Sequence, residues 1–189
     1  MQGNFQFFLS CQKLPRMRKV ILGLAISLDG YIEGPNGEFD WCFTDQDYGM
    51  KEFFSHIDSL FIGRKSYELM QSMGESASAG FPKMKEYVFS NTLEEVKPGA
   101  ILIKGNADEA VRKIQQEPGK DIWLFGGAIL TAYFLEYALI DQLWLSVHPI
   151  LLGSGKRLFP ESGHRTTLQL IETKHYNTGL VSMKYELKK

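Results

Sequence analysis

The sequence predicts an α/β domain in which a mixed, mostly parallel central sheet is flanked by helices and closed by an antiparallel C-terminal hairpin. Three observations carry that expectation. Residues Val20 to Ser27 (VILGLAIS) are apolar nearly throughout, the pattern of a strand buried on both faces of a parallel sheet. Short apolar runs then alternate with stretches of helical periodicity. Near the end, Thr167 to His175 and Leu180 to Leu187 flank Asn177-Thr178-Gly179 and read as a hairpin.

Each element follows in order. After the first strand, Asp29-Gly30 and Gly34-Pro35-Asn36-Gly37 supply two turns, so Asp29 to Trp41 reads as a long loop with a short extended piece at Tyr31-Ile32. Asp47 to Ile57 is expected to be helical, Ser59 to Ile62 a strand, Lys65 to Met73 a second helix, and Gly74 to Gly80 a small, polar loop. Tyr87 to Phe89 and Ile101 to Ile103 are two further strands. Asn106 is placed to cap the next helix, with Glu109 three residues on and Ala107, Ala110, Val111 and Ile114 on one face; Pro118-Gly119 ends it. Ile122 to Phe125 is a strand that gives way through Gly126-Gly127 to a helix striped by Ala128, Ala132, Leu135 and Leu139. Leu143 to Val147 alternates as a strand, and Gly153-Ser154-Gly155 forms a loop.

The totals narrow the function classes. With 189 residues, 44% hydrophobic and 23% charged, the chain fits one globular domain. Residues 17–189 are expected to form it, and residues 1–16 to be an extension, disordered or packed as an arm. That extension lacks a basic start and a cleavage site, so it does not read as a signal peptide. A net charge of -1 with mixed signs argues against nucleic acid or a membrane surface as partner, and no apolar run is long enough to span a bilayer. Cys11 and Cys42 have no paired spacing, which suggests neither disulfides nor zinc and suits the cytoplasm. A small-molecule substrate is the expectation.

In an open α/β sheet, ligands gather at the carboxyl ends of the strands. Gly126-Gly127 at such an end frees the first N–H groups of a helix for an anion. Gly63-Arg64-Lys65-Ser66 sets two cations at another helix N-terminus, where they oppose the dipole unless an anion is present. Ser90 and Thr92 add hydroxyls nearby, although both are ordinary cap residues. Two anion seats on one edge suit a dinucleotide with a 2′-phosphate, hence NADPH.

Four motifs then stand in order: Ser27-Leu28-Asp29-Gly30-Tyr31-Ile32, Ile62-Gly63-Arg64-Lys65-Ser66-Tyr67-Glu68, Leu124-Phe125-Gly126-Gly127-Ala128 and His148-Pro149-Ile150-Leu151-Leu152-Gly153-Ser154-Gly155. Together they resemble the dihydrofolate reductase superfamily, and more closely its branch typified by the C-terminal reductase domain of the bacterial riboflavin-biosynthesis protein RibD. The resemblance implies a dihydrofolate reductase-like three-layer fold and a free-standing, NADPH-dependent reductase acting on a ribosylamino-pyrimidine or related heterocycle, as a homodimer formed through the late strand and hairpin. It implies that Gly63, Arg64, Lys65 and Ser66 hold the 2′-phosphate or pyrophosphate side, with Ser90 and Asn91 at the adenosine end. Gly126, Gly127, Ala128, Ile129 and Leu130 would seat the pyrophosphate. The loop Gly34 to Trp41 would lie over the nicotinamide, with Trp41 toward the substrate; Asp29 reads first as shaping its Asp-Gly turn and, as the alternative, as a substrate contact. The proton donor would be Asp47, with Asp45 as neighbour; equally, Asp47 reads as an acid complementing a helix dipole. His148 reads as structural, and Lys156 and Arg157 as solvated rather than as a phosphate grip. Dihydrofolate reductase proper, which lacks the late Pro-hydrophobic-Gly-x-Gly run, and a non-catalytic nucleotide-binding module are the rivals.

Overall fold

The computed structural model describes residues 16–74, 80–161 and 165–188. The expected N-terminal extension, apart from Arg16, and the core of the expected loop after Gly74 lie outside them. Along the chain the elements are β1 (Val20–Ser27), β2 (Tyr31–Glu33), α1 (Met50–His56), β3 (Ile57–Gly63), α2 (Arg64–Ser72), β4 (Lys85–Phe89), β5 (Ile101–Ile103), α3 (Ala107–Gln116), β6 (Asp121–Gly126), α4 (Ala128–Glu136), β7 (Gln142–His148), β8 (Lys156–Arg157), β9 (Leu168–His175) and β10 (Val181–Leu187). Eight strands make one sheet in the order β5-β4-β3-β6-β1-β7-β10-β9, and β2 pairs with β8 in a separate ribbon. From β5 to β7 the strands run parallel; β10 lies antiparallel between β7 and β9.

Alternation along β1 assigns the two faces. Val20 and Leu22 join Phe61, Leu124, Val111 of α3 and Phe134 of α4 in one core. Ile21 joins Phe53 of α1, Tyr67 of α2, Leu60 and Trp123 in the other, so the fold is three layers with helices on both sides of the sheet. Each such side chain, fully buried, stabilises the fold by about 1.5–3 kcal/mol. Gly23 interrupts the apolar run of β1 because a Cβ there would stand 2.7 Å from the Phe53 ring; its carbonyl instead accepts the Trp123 indole N–H at 2.7 Å. No helix of the described residues is long and apolar enough to cross a membrane.

Three local expectations change. The inward face of α4 is Ala128, Thr131 and Phe134, while Ala132 and Leu135 are half-buried; a helix reading AILTAYFLE is apolar on nearly every side, so its periodicity selects no face. Asn106 stands at the cap position of α3 but makes no cap hydrogen bond, and Glu109 pairs with Lys113 at 2.7 Å. Helix α1 begins at Met50 rather than near Asp47, because Gly49 before it takes a left-handed φ of 91°.

Candidate functional site

At the carboxyl edge of the sheet, β6 ends in two consecutive glycines, Gly126 and Gly127, both at φ 92°. Only glycine adopts that conformation without strain, and the sharp turn it permits starts α4 directly against the sheet. Neither α4 nor α2, which leaves β3 through Gly63, has a side-chain cap on its N-terminus. The two helix starts are close neighbours. A Cβ on Gly127 would come 3.0 Å from the Ser66 hydroxyl of α2, and one on Gly63 would come 3.4 Å from the Gly126 carbonyl and from Leu130.

These two helix starts wall a cleft of about 360 Å³, completed by the loop after β4. Gly63, Arg64, Lys65 and Ser66 line it from one side, Gly127, Ala128, Ile129 and Leu130 from another, and Ser90, Asn91 and Thr92 from a third. Of the residues expected to hold cofactor, Gly126 alone does not face it: its Cβ position points at Thr131 Oγ1, 3.0 Å away. The loop residues have structural work of their own. Ser90 Oγ accepts the N–H groups of Thr92 (3.1 Å) and Leu93 (3.0 Å), and Asn91 Oδ1 accepts the Gly105 N–H at 2.9 Å, which ties the loops after β4 and β5 together. Arg64 is answered within its own helix by Glu68, through two bonds of 2.9 and 3.0 Å. Lys65 is exposed and makes no ion pair among the described residues, so it is the uncompensated cation at this helix start.

A second cleft, of about 490 Å³, opens alongside. Its inner wall is aromatic: Phe53 packs edge-on against Trp123 and Trp144, with ring centroids 5.4 and 5.1 Å apart, and Phe125 packs on Trp123 at 5.1 Å. Its mouth is rimmed by Phe39, Phe43, Met50, Leu69 and Met73, all 37–44% exposed. Among the described residues that line it, the charged ones are Glu33 and Lys156, joined at 2.7 Å. Ser66, Gly127 and Lys156 line both clefts, so the two form one continuous groove.

Several residues singled out from the sequence stand elsewhere. Asp47, the expected proton donor, is exposed outside the groove, where its carboxylate accepts the Lys51 N–H at 3.2 Å; it acts as the dipole-complementing acid of α1. Asp45 accepts the Tyr48 hydroxyl at 2.6 Å. Asp29 is a clasp rather than a wall of the groove: it accepts the Ser27 hydroxyl (2.7 Å) and the N–H groups of Leu152 (3.1 Å) and Gly153 (2.8 Å). The Ser27 bond first, then those backbone bonds, holds its carboxyl below the usual aspartate range. Trp41 stands behind the groove, edge-on to His148 at 5.2 Å. His148, read from the sequence as structural, lines the second cleft and has both ring nitrogens hydrogen-bonded. Its Nε2 accepts the Phe43 N–H at 3.1 Å, which leaves Nδ1–H to donate to the Ser146 carbonyl at 3.0 Å. Burial, opposed by that carbonyl, lowers its pKa, so the ring is a neutral anchor for the loop that carries Trp41 and Phe43.

Glu33 is what the sequence reading missed, and Lys156, read there as solvated, lines both clefts. They meet because β8 pairs with β2, a ribbon of two very short strands that no periodicity announces. The nearby Arg157 lies over the Tyr31 ring at 5.2 Å. Among the described residues, no group of three or more His, Cys, Asp or Glu side chains could hold a metal.

With this geometry in place, likeness to known proteins is informative. The model of the RibD C-terminal domain matches residues 18–182. The Bacillus subtilis protein YyaP, itself uncharacterized, is 41% identical over 179 residues, covering 90% of this chain and 95% of that one. A Shewanella sp. PV-4 protein assigned to riboflavin biosynthesis shares the fold at a TM-score of 0.79 and 26% identity, with 90% and 99% of the two chains covered. A Thermotoga maritima diaminohydroxyphosphoribosylaminopyrimidine deaminase/5-amino-6-(5-phosphoribosylamino)uracil reductase matches at a TM-score of 0.68 and 15% identity, over 91% of this chain and 57% of that one, a likeness of fold alone.

Proposed function

The chain belongs to the RibD C-terminal domain family, and from that membership together with the continuous groove we propose that it is an NADPH-dependent reductase of a small heterocycle of the ribosylamino-pyrimidine kind. The observation that carries this reading is the junction at Ser66, Gly127 and Lys156, where a cleft built from two uncapped helix N-termini runs into an aromatic one. The first cleft fits a dinucleotide: the free N–H groups of α2 and α4 suit a pyrophosphate, the bare Cα of Gly127 leaves room for it, and Lys65 supplies a cation for a 2′-phosphate. NADPH held by these residues would supply a hydride.

The chain's own residues supply the rest. A carbon–nitrogen or carbon–oxygen double bond that gains a hydride at carbon needs one proton at the heteroatom. Lys156 is the proton-bearing cation at the junction, and Glu33 holds its ammonium in place at 2.7 Å. Lys156 gives one proton and recovers it from water, so each turnover consumes one hydride and one proton. The aromatic wall excludes water from one face of the acceptor.

One observation favours a rival, the non-catalytic nucleotide-binding module: neither Asp45 nor Asp47 reaches the groove. Calorimetric titration with NADPH, followed by assay of NADPH oxidation, separates the two readings. We expect Asp47→Asn to keep turnover within about twofold and Lys156→Met to lower it by about 10²-fold or more, with NADPH affinity changed far less. NADPH binding with no turnover on any heterocycle supports the module, and absence of NADPH binding removes both readings. Pairing with a second copy through the edge strand β9, where Leu168, Leu170 and Ile171 are 40–54% exposed, completes the proposal; light scattering of the eluted protein tests it.

A further inference from the structure

We infer that the second cleft takes an uncharged, flat, largely apolar acceptor, and that a phosphate on the substrate adds nothing to its binding. The inference rests on the reductase reading and, within it, favours a bare heterocyclic ring over a ribosylamino-bearing one. A phosphorylated ligand needs a cation or a set of free N–H groups for its dianion. Among the described residues lining this cleft, the cation is Lys156, and its charge is cancelled by Glu33 at 2.7 Å. The other polar groups are neutral or occupied. His148 has both ring nitrogens hydrogen-bonded, to the Phe43 N–H and the Ser146 carbonyl. Tyr48 gives its hydroxyl proton to Asp45. The Cys42 thiol, pushed up to about 11 mainly by burial, stays protonated at neutral pH.

What the cleft does offer is apolar surface of a definite kind. Phe53, Trp123 and Trp144 present ring edges and faces on the inside, and α2 with the residue that caps its end brings Leu69, Met70 and Met73 to the mouth. Methionine side chains fit irregular flat surfaces and contact aromatic rings favourably. A rim of large apolar side chains left 37–44% exposed makes a surface that a planar apolar ligand covers and that a phosphate would leave wet. The anion seats lie in the neighbouring cleft, at the starts of α2 and α4, where the cofactor's own phosphates would occupy them.

Lumichrome, riboflavin and riboflavin 5′-phosphate test this as a graded series, because they add a polyol and then a phosphate to a flat pyrimidinedione-containing ring. Each is titrated calorimetrically into protein saturated with NADP⁺, which blocks the phosphate seats and precludes turnover. The expected order is lumichrome tightest, with riboflavin 5′-phosphate no tighter than riboflavin. Met73→Arg, at an exposed rim position, is expected to tighten riboflavin 5′-phosphate several-fold relative to riboflavin by supplying the missing cation. Riboflavin 5′-phosphate binding about tenfold tighter than riboflavin to the unaltered protein overturns the inference. So does failure of all three to bind while NADP⁺ binds. Failure of NADP⁺ itself to bind overturns the reductase reading instead, and is read in a separate titration.

Discussion

Replacing Gly126 and Gly127 one at a time by alanine separates the turn's structural role from a role in holding a ligand. Both glycines have φ 92°, so an alanine at either costs comparable backbone strain, roughly 1–3 kcal/mol. The added Cβ meets one hydroxyl in each case, Thr131 Oγ1 at 3.0 Å for Gly126 and Ser66 Oγ at 3.0 Å for Gly127. At about 2–4 °C per kcal/mol for a chain of this size, each variant should melt roughly 2–12 °C below the parent. Binding should divide them. The Gly126 methyl points at α4, whereas the Gly127 methyl fills the space between the starts of α2 and α4. One charge-assisted hydrogen bond lost there is worth about 1.5–3 kcal/mol, or about 10- to 100-fold in NADPH affinity. Thermal melts by circular dichroism and NADPH calorimetry well below both midpoints read the two quantities. Equal affinity losses in the two variants, or an unchanged affinity in Gly127→Ala, would refute the assignment of this turn as the pyrophosphate seat.

Lys65→Ala should weaken NADPH about tenfold and NADH less than twofold, while Arg64→Ala should do less because Glu68 already neutralises that guanidinium; a loss shared equally by the two dinucleotides removes Lys65 from the 2′-phosphate. His148 predicts a pH dependence of stability. Its folded pKa lies below the ordinary 6.5, so the unfolded chain takes up this proton first, and the contribution is complete above about pH 6.5 and declines as pH falls below it. His148→Gln keeps a side-chain acceptor for the Phe43 N–H without a titrating ring, and urea melts above and below about pH 6.5 should show a flatter profile than the parent; parallel profiles would refute the neutral-anchor assignment.

The fold was legible in the sequence wherever one force dominated. VILGLAIS leaves no solvated face, so β1 had to be central, and the paired glycines after Phe125 had to turn. The C-terminal hairpin announced itself by length and turn residues. Legibility failed where placement depends on distant partners. The resemblance offered Asp47 as an inward carboxylate, yet the left-handed Gly49 delays α1 and leaves Asp47 on its outer end. Asp29 sits in an Asp-Gly turn, but its carboxylate is spent on Leu152 and Gly153, more than a hundred residues away in the chain. Met70 falls within a helix and Met73 just past its end, and nothing in a helical repeat distinguishes a face toward the core from a face toward a cleft. The two cations before Tyr67 looked equally out of place at a helix start. One of them carries its own counter-charge a turn later, which an (i, i+4) inspection of Arg64 and Glu68 would have shown.

The ribbon of β2 and β8 ties these local facts to the chemistry. Gly155 precedes Lys156 at φ 133°, and a Cβ there would stand 2.1 Å from the Glu33 carbonyl, a backbone atom that no rotamer can move aside. Close approach of two backbones at this glycine is therefore the condition for pairing β8 with β2, and that pairing sets Lys156 beside Glu33 at the junction of the clefts. Gly155→Ala should separate the ribbon and displace Lys156 without touching either helix start. Turnover should then fall as far as it does in Lys156→Met, while NADPH affinity changes less than it does in Gly127→Ala and unfolding stays cooperative. The central sheet does not include the ribbon, so a folded but inactive protein is the expected product. If Gly155→Ala reduces substrate at the parental rate, the Glu33–Lys156 pair is not the source of the proton. The polar end of the groove then belongs to substrate recognition alone.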